Sequence, residues 1–357
     1  MSKEERTLKI GILGCGPIAQ SAHLECSRKG CNTDLYAVCD RAVDLADKIT
    51  AIHHPQKTYY DYDEMLADPQ VEAVIVATAD QYHVPMAKKA LLAGKHVFVE
   101  KPLGVTVEEV LDLHDVVKQT GLTLQVGNNK RFDPAVTFAR RFIQDELGQI
   151  MGMRAWYRDS QFRYLMTDNT QPFILSSEQS IHPQGNPKAN RRHYFLLAHA
   201  SHLVDTARFL AGDIVSLKAD LVERFGAYGW FITAHFANGC IGQMDLIVPV
   251  KGDWAEGFEV FGENGNVNGK LFMPWYKKGG EVECFSVKDG TYRKPLAEDG
   301  YSYRRQLEGF AETILKGIPQ MGANVEDGLE NMRALAAITR SVDTGQQIEL
   351  SGITGAV

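Results

Sequence analysis

Lys9-Ile10-Gly11-Ile12-Leu13-Gly14-Cys15-Gly16-Pro17-Ile18-Ala19 decides how the chain is read. A short apolar run enters a G-x-G-x-x-A turn. Glycine lets the backbone turn this tightly and lie bare against a ligand. The residues from Ile18 to Arg28 suit a helix, and a helix starting there aims its first N–H groups at a negative charge. A second apolar run, Asp34 to Cys39, ends in Asp40, an acid placed to accept from the ribose hydroxyls of an adenosine. Strand, glycine turn, helix, strand and acid in that order read as a pyrophosphate site for a dinucleotide.

Working outward, strand and helix patterns alternate, which predicts crossover units and a parallel sheet. Helices are expected at Val43 to Ile52, within Tyr59 to Asp68, at His83 to Ala93 and at Thr106 to Gln119. Thr106 with Glu109 forms a capping box, and Gly94 and Gly121 are the stops. Val71 to Ala77, His96 to Val99 and Leu122 to Val126 are apolar runs typical of strands covered on both faces. Ligands of such sheets sit beyond the carboxyl ends of the strands. Gly14, Asp40, Thr78, Lys101 and Asn128 should therefore line one crevice. Within Glu100-Lys101-Pro102, a lysine at the mouth of a buried strand is costly unless used. The proline after it holds Lys101 extended.

After Pro134 the pattern changes. A helix to Glu146 is followed by an alternating run, Met151 to Arg163, that reads as a long strand. Tyr164 to Arg192 has no periodicity, and a loop of that length in a compact domain is usually functional. A helix from His193 to Leu210 precedes four or five strands, with candidates at Ile214 to Phe225, Trp230 to Ala237, Gly239 to Val248, Gly257 to Gly262 and Gly265 to Met273. Asn238-Gly239 and Asn264-Gly265 supply hairpin turns. The expected fold class is an α/β Rossmann domain, residues 1–127, followed by an α+β domain, residues 128–357, with an open, mostly antiparallel sheet. Helices at Tyr303 to Lys316 and Val325 to Thr344 are candidates to pack back on the first domain. On the His193 helix, positions 199, 202, 205 and 206 share one face. Histidine is the natural proton carrier near neutral pH. His199, His202 and Asp205 also have a spacing that suits a metal, but no further strong ligand is identifiable and none is expected. The remaining reading makes both imidazoles satisfied core groups.

Composition narrows the classes. A chain of 357 residues with 44% hydrophobic and 23% charged residues fits two globular domains. A net charge of -7 without a basic block argues against nucleic acid. Six cysteines without regular spacing read as free thiols. No signal peptide and no membrane span is apparent, and a cytoplasmic protein is expected.

Gly14-x-Gly16-x-x-Ala19, Asp40, Thr78 with His83, Glu100-Lys101-Pro102 and Gly127-Asn128-Asn129-Lys130-Arg131-Phe132-Asp133-Pro134, taken in order, resemble the Gfo/Idh/MocA oxidoreductases. The likeness is close over residues 5–135 and looser to about residue 345. Thr78-Ala79 departs from the commoner Thr-Pro. The family includes glucose–fructose oxidoreductase and inositol 2-dehydrogenase. The resemblance implies reversible hydride transfer between NAD and a secondary alcohol of a sugar, inositol or related polyol. Cofactor contacts are then expected from Gly14, Gly16, Pro17, Ile18, Ala19, Asp40, Arg41, Thr78, His83, Glu100, Lys101 and Asn128. Asp40 favours NAD, whereas Arg41 beside it suits the extra phosphate of NADP. His202 falls on the catalytic histidine and Asp205 on the acid that follows it. The family's aspartate four residues earlier is Ala198 here, so His199 is the candidate to stand in as orienting partner or second proton carrier. Lys101 would stabilise the alkoxide while His202 takes the proton. Substrate contacts are expected from Lys101, Asn128, Arg131, Tyr157, Arg163, Tyr164, Asn169, His199 and His202. A homodimer or homotetramer through the second sheet is implied. The alternatives are an NADPH-dependent keto- or anhydrosugar reductase, an NAD-dependent enzyme cleaving glycosidic bonds, and a non-catalytic dinucleotide-binding regulator.

Overall fold

A computed structural model describes residues 6–162, 173–180, 189–296 and 300–357, and these divide into two units. The first takes the described residues of Met1–Asn129, Gln171–Pro187 and Tyr303–Leu329; the second takes those of Lys130–Thr170, Lys188–Ser302 and Glu330–Val357.

In the first unit, β1 (Leu8–Leu13), β2 (Thr33–Cys39), β3 (Lys57–Tyr59), β4 (Ala73–Val76), β5 (His96–Val99) and β6 (Leu124–Val126) form a parallel sheet in the order β3-β2-β1-β4-β5-β6. This is the doubly wound order of a Rossmann fold, and its direction reverses between β1 and β4. Every residue of β4 is buried, which explains its unbroken apolar run. The helix Val107–Thr120 starts on the expected capping box, with Thr106 Oγ1 accepting from Glu109 N at 3.2 Å. It stops at Gly121, whose φ of 64° places it in the left-handed region. The helix after the glycine turn is not uniform: a π-helical turn, Ala19–His23, runs into an α-helix, Leu24–Lys29. The three-residue β3 lay below the length at which alternation shows, and it exists by pairing on the edge of β2.

The second unit is built on a nine-stranded sheet, counted among the described residues. Its strands are β7 (Ile150–Ser160), β8 (Ile214–Arg224), β9 (Ala227–Phe236), β10 (Ile241–Val250), β11 (Ala255–Gly262), β12 (Gly265–Leu271), β13 (Glu281–Ser286), β14 (Thr291–Arg293) and β15 (Ile348–Glu349). Their order is β14-β13-β12-β11-β7-β10-β9-β8-β15, antiparallel except where β10 runs parallel to β7. The helices Pro134–Asp145 and Ser201–Ala211 pack on one face of the sheet. Inward residues alternate with outward ones along β7, so Met153, Ala155, Tyr157 and Asp159 are buried together. Three strands, β13, β14 and β15, were not expected. β9 also starts three residues earlier than expected, because Phe225 and Gly226 both take positive φ and close a tight β8–β9 hairpin.

Candidate active site

In the first unit the glycine turn meets two different demands. Gly14 has a φ of +93°, and a Cβ there would stand 2.8 Å from Ala77 O at the end of β4. A Cβ on Gly16 would meet nothing within 4 Å. One glycine is required by packing, while the other leaves an open side to the turn. The helix begins at once, with Gln20 N–H donating to Gly16 O at 3.1 Å. Asp40 closes the turn from β2: its carboxylate accepts from Cys15 N at 2.8 Å and from Ala42 N at 2.9 Å. These bonds fix the carboxylate and leave each oxygen further accepting capacity. Arg41 is exposed.

Two polar side chains at the ends of β4 and β6 are buried without hydrogen-bond partners among the described residues. They are the Thr78 hydroxyl and the Asn128 carboxamide, the latter only 2% exposed. Buried polar groups are normally paired. An open glycine turn, a fixed acid and two orphaned polar groups beyond the ends of β4 and β6 fit a dinucleotide along the sheet's carboxyl edge.

Three expected cofactor contacts are engaged otherwise. Glu100 is buried, with Oε1 2.8 Å from His23 Nε2 and Oε2 accepting from Lys101 N at 3.2 Å. Burial alone would raise its carboxyl, but the hydrogen bond and charge of His23, with Lys101 and His83, hold it below the ordinary range. His83 is buried between Pro102 O at 2.7 Å and Thr78 O at 3.2 Å, so it ties the two strand-end turns together. Ala19 is buried inside the first helical turn. The side chains of Glu100, His83 and Ala19 therefore brace the cradle. Lys101 is half-buried, followed by a cis peptide bond to Pro102. The first helix also anchors part of the long loop. The Gln20 carboxamide donates to Leu175 O at 3.0 Å and accepts from Leu175 N at 2.8 Å, while Ser177 bonds Asp44. Arg163, Tyr164 and Asn169 lie outside the described residues.

In the second unit the histidine helix is three segments in continuous succession: α-helix Arg191–Phe195, π-turn Leu196–Ala200 and α-helix Ser201–Ala211. Such π-turns cluster at functional sites. His199 and His202, both more than nine-tenths buried, face one tyrosine. The Tyr157 ring lies parallel to His202 at 5.9 Å, and its hydroxyl is 3.4 Å from His199 Nδ1. Trp254 meets the same ring edge-on at 4.7 Å. Asp159 Oδ2 approaches His199 Nε2 at 3.7 Å. Lys130 Nζ is bonded to Glu256 at 2.6 Å, both side chains buried. Burial pushes the Glu256 carboxyl up against the pull of Lys130, and Asp133 and Asp159 push the same way.

Asp205 and Arg131 take roles other than those expected. Arg131 Nη2 donates to Asp205 Oδ1 at 2.7 Å, its Nε to Oδ2 at 3.0 Å, and Asn331 Nδ2 donates to Oδ1 at 3.1 Å. Arg131 forms a buried ion pair, the Nε and Nη2 side of its fork taken by that carboxylate. The same bonds remove Asp205 as a metal ligand beside the histidines. Among the described residues no group of three His, Cys, Asp or Glu side chains is arranged to hold a metal ion. Asp159, Trp254 and His23 escaped the sequence reading. Only the alternation that puts Asp159 on the same strand face as Tyr157 could have exposed one of them.

Comparison with known proteins agrees with this architecture. A model of an oxidoreductase family with an NAD-binding Rossmann fold, GFO_IDH_MocA, matches residues 8–128, and the family's C-terminal alpha/beta domain matches residues 192–350. The chain is 34% identical to scyllo-inositol 2-dehydrogenase (NAD(+)) of Bacillus subtilis, over 97% of each chain. It is 26% identical to inositol 2-dehydrogenase of Rhizobium meliloti, over 97% of this chain and all of that one. It shares its fold with a levoglucosan dehydrogenase solved with NADH and levoglucosan, at a TM-score of 0.77 and 21% identity over 97% of this chain and all of the other. No helix among the described residues is long and apolar enough to cross a membrane.

Proposed function

The chain belongs to the Gfo/Idh/MocA family of NAD-dependent oxidoreductases, and from that footing we propose that it moves a hydride reversibly between NAD and a secondary alcohol of an inositol or related polyol or sugar. One observation carries the reading: two buried imidazoles are held against a single tyrosine, in a chain whose first unit is a dinucleotide cradle. The full-length likeness to a scyllo-inositol dehydrogenase supports the substrate class.

The residues that would hold the cofactor are Gly14, Gly16 and the helix start at the pyrophosphate, Asp40 at the adenosine ribose, and Thr78 and Asn128 at the strand ends. NAD, when bound, supplies the two-electron acceptor. Everything else falls to the protein. His202 takes the hydroxyl proton, a role that imidazole fills more often than any other side chain. The Lys101 ammonium stabilises the negative charge that develops on that oxygen. Tyr157 and Trp254 supply a flat apolar wall beside polar tips, which suits a polyol ring. The fixed Asp40 carboxylate repels a 2′-phosphate and selects NAD over NADP. Outward residues of the second sheet, Val222, Phe231 and Ile241, support its use as a homo-oligomer interface. Six free thiols, five of them buried, suit a reducing cytoplasm.

A panel of inositols and sugars, assayed with NAD and with NADP by the absorbance of the reduced nicotinamide, tests the reading. Oxidation of an inositol or related polyol with NAD is expected. Tight NAD binding with no turnover of any panel member would contradict it and point to a non-catalytic dinucleotide-binding protein.

A further inference from the structure

Asp159 has no role in the reaction as described, yet it is 4% exposed and sits directly behind a histidine of the site. It follows Tyr157 by two residues on β7, so both side chains leave the same face of the strand. From that face they bracket one imidazole. Asp159 Oδ2 lies 3.7 Å from His199 Nε2, and the Tyr157 hydroxyl lies 3.4 Å from His199 Nδ1. A neutral imidazole has one donor nitrogen and one acceptor nitrogen, and a carboxylate only accepts. With His199 neutral and Asp159 ionised, the nitrogen facing Asp159 is the one to carry the hydrogen, which leaves the other to accept from the tyrosine. Contacts of this kind are often long before substrate binds and tighten in the complex. The other face of the arrangement is aromatic. Tyr157 is held edge-on by Trp254 at 4.7 Å and lies parallel to the His202 ring, with 2° between the planes. Whatever fixes the Tyr157 hydroxyl therefore fixes the surface against which His202 lies.

We propose that Asp159 is a positioning residue for the alcohol-oxidising reaction: its carboxylate keeps the proton of His199 on Nε2, directs the Tyr157 hydroxyl to Nδ1 and so sets the plane of His202. The proposal rests on the hydride-transfer reading above. No proton leaves the bracket in this role. The hydrogen on Nε2 stays on His199, the tyrosine keeps its own, and the substrate proton goes to His202. The charged neighbours facing this bracket are Glu256 on the adjacent strand β11, paired with Lys130, and Asp133 beyond them.

The tautomer can be read without substrate. The full chain, labelled with ¹⁵N-histidine, is examined by long-range ¹H–¹⁵N spectra with and without NAD. His199 is expected to carry its hydrogen on Nε2 in the wild type. Asp159→Asn, which keeps the shape and removes the charge, should bring the Nδ1–H form to a comparable share. Tyr157→Phe should leave the hydrogen on Nε2, because the carboxylate remains. On scyllo-inositol, kcat of Asp159→Asn should fall by about tenfold to a hundredfold with KM for NAD unmoved. Asp159→Glu should recover part of that loss. A wild-type His199 protonated on Nδ1, the same tautomer in wild type and Asp159→Asn, or a switch caused by Tyr157→Phe would each overturn the proposal. The wild-type and Tyr157→Phe spectra decide the matter even if Asp159→Asn does not fold. A chain that oxidises no polyol defeats the reaction reading in a different assay, so the two failures cannot be confused.

Discussion

Gly14 and Gly16 stand two residues apart and answer to different constraints, which a methyl group can separate. Gly14→Ala adds a Cβ at positive φ against Ala77 O and should cost about 1–3 kcal/mol of stability. Gly16→Ala adds one into open space, so the unfolding midpoint should stay within about 0.5 kcal/mol of wild type. The open side is where the pyrophosphate would lie, so NADH affinity, read by fluorescence titration, should drop at least about tenfold, equivalent to about 1.4 kcal/mol. Gly16→Ala with wild-type NADH affinity would contradict the placement of the cofactor. Arg131 provides the second case. Arg131→Ala leaves Asp205 buried at 1% exposure without its guanidinium, and breaking a buried pair from one side costs about 3–5 kcal/mol. Urea unfolding should show that loss; a variant of normal stability with only a raised KM would make Arg131 a substrate contact after all. In sequence, Arg131 is expected among the substrate contacts because polar side chains suit a polyol. Its partner lies 74 positions away on the histidine helix, and no local pattern reports that.

At the scale of elements, local signals were legible and distant pairings were not. The capping box at Thr106 and Glu109, the stop at Gly121 and the apolar strands of the parallel sheet are visible because each depends on neighbours within a few residues. The π-turns at Ala19–His23 and Leu196–Ala200 are not, since the sequence pattern of one inserted residue is that of an ordinary helix. Nor is the contact the first π-turn makes: His23, 77 positions from Glu100, holds the carboxylate next to Lys101. That pair sets a pH dependence. The Glu100 carboxyl is held below its ordinary value of 4.5, so the native state binds that proton less readily than the unfolded chain. Its stabilising contribution is complete above that value and is lost as pH falls through the lowered one. Glu100→Gln should flatten the acid side of the stability profile measured by denaturant midpoint, while wild type loses stability more steeply there. Equal slopes would show that the His23–Glu100 bond contributes nothing to the fold.

For the whole chain, the order of strand and helix patterns sufficed to expect a Rossmann domain and a second α+β sheet, and the family match agrees with both. The open face of the second sheet carries Val222, Phe231 and Ile241, each more than two-fifths exposed. Scattered apolar side chains are common on surfaces, but three on one sheet face suit an interface between copies. Light scattering should give a dimer or tetramer, and Phe231→Asp with Ile241→Asp should shift it toward the monomer; a wild-type monomer at micromolar concentration would contradict that use of the face. Tyr157, His199 and His202 are expected together as substrate contacts in the sequence; what no pattern revealed is that Asp159 and the buried Lys130–Glu256 pair join them in the polar interior of this unit, from four separate segments in all.

The central claim is that Lys101 and His202 carry the proton and charge of a hydride transfer that NAD accepts. It is tested most directly by comparing wild type, Lys101→Ala and His202→Ala on the polyol that wild type oxidises fastest, with NADH titrations in parallel. Both variants should bind NADH within a few-fold of wild type and lose turnover by at least about a hundredfold. Turnover at the wild-type rate by either variant would contradict the account.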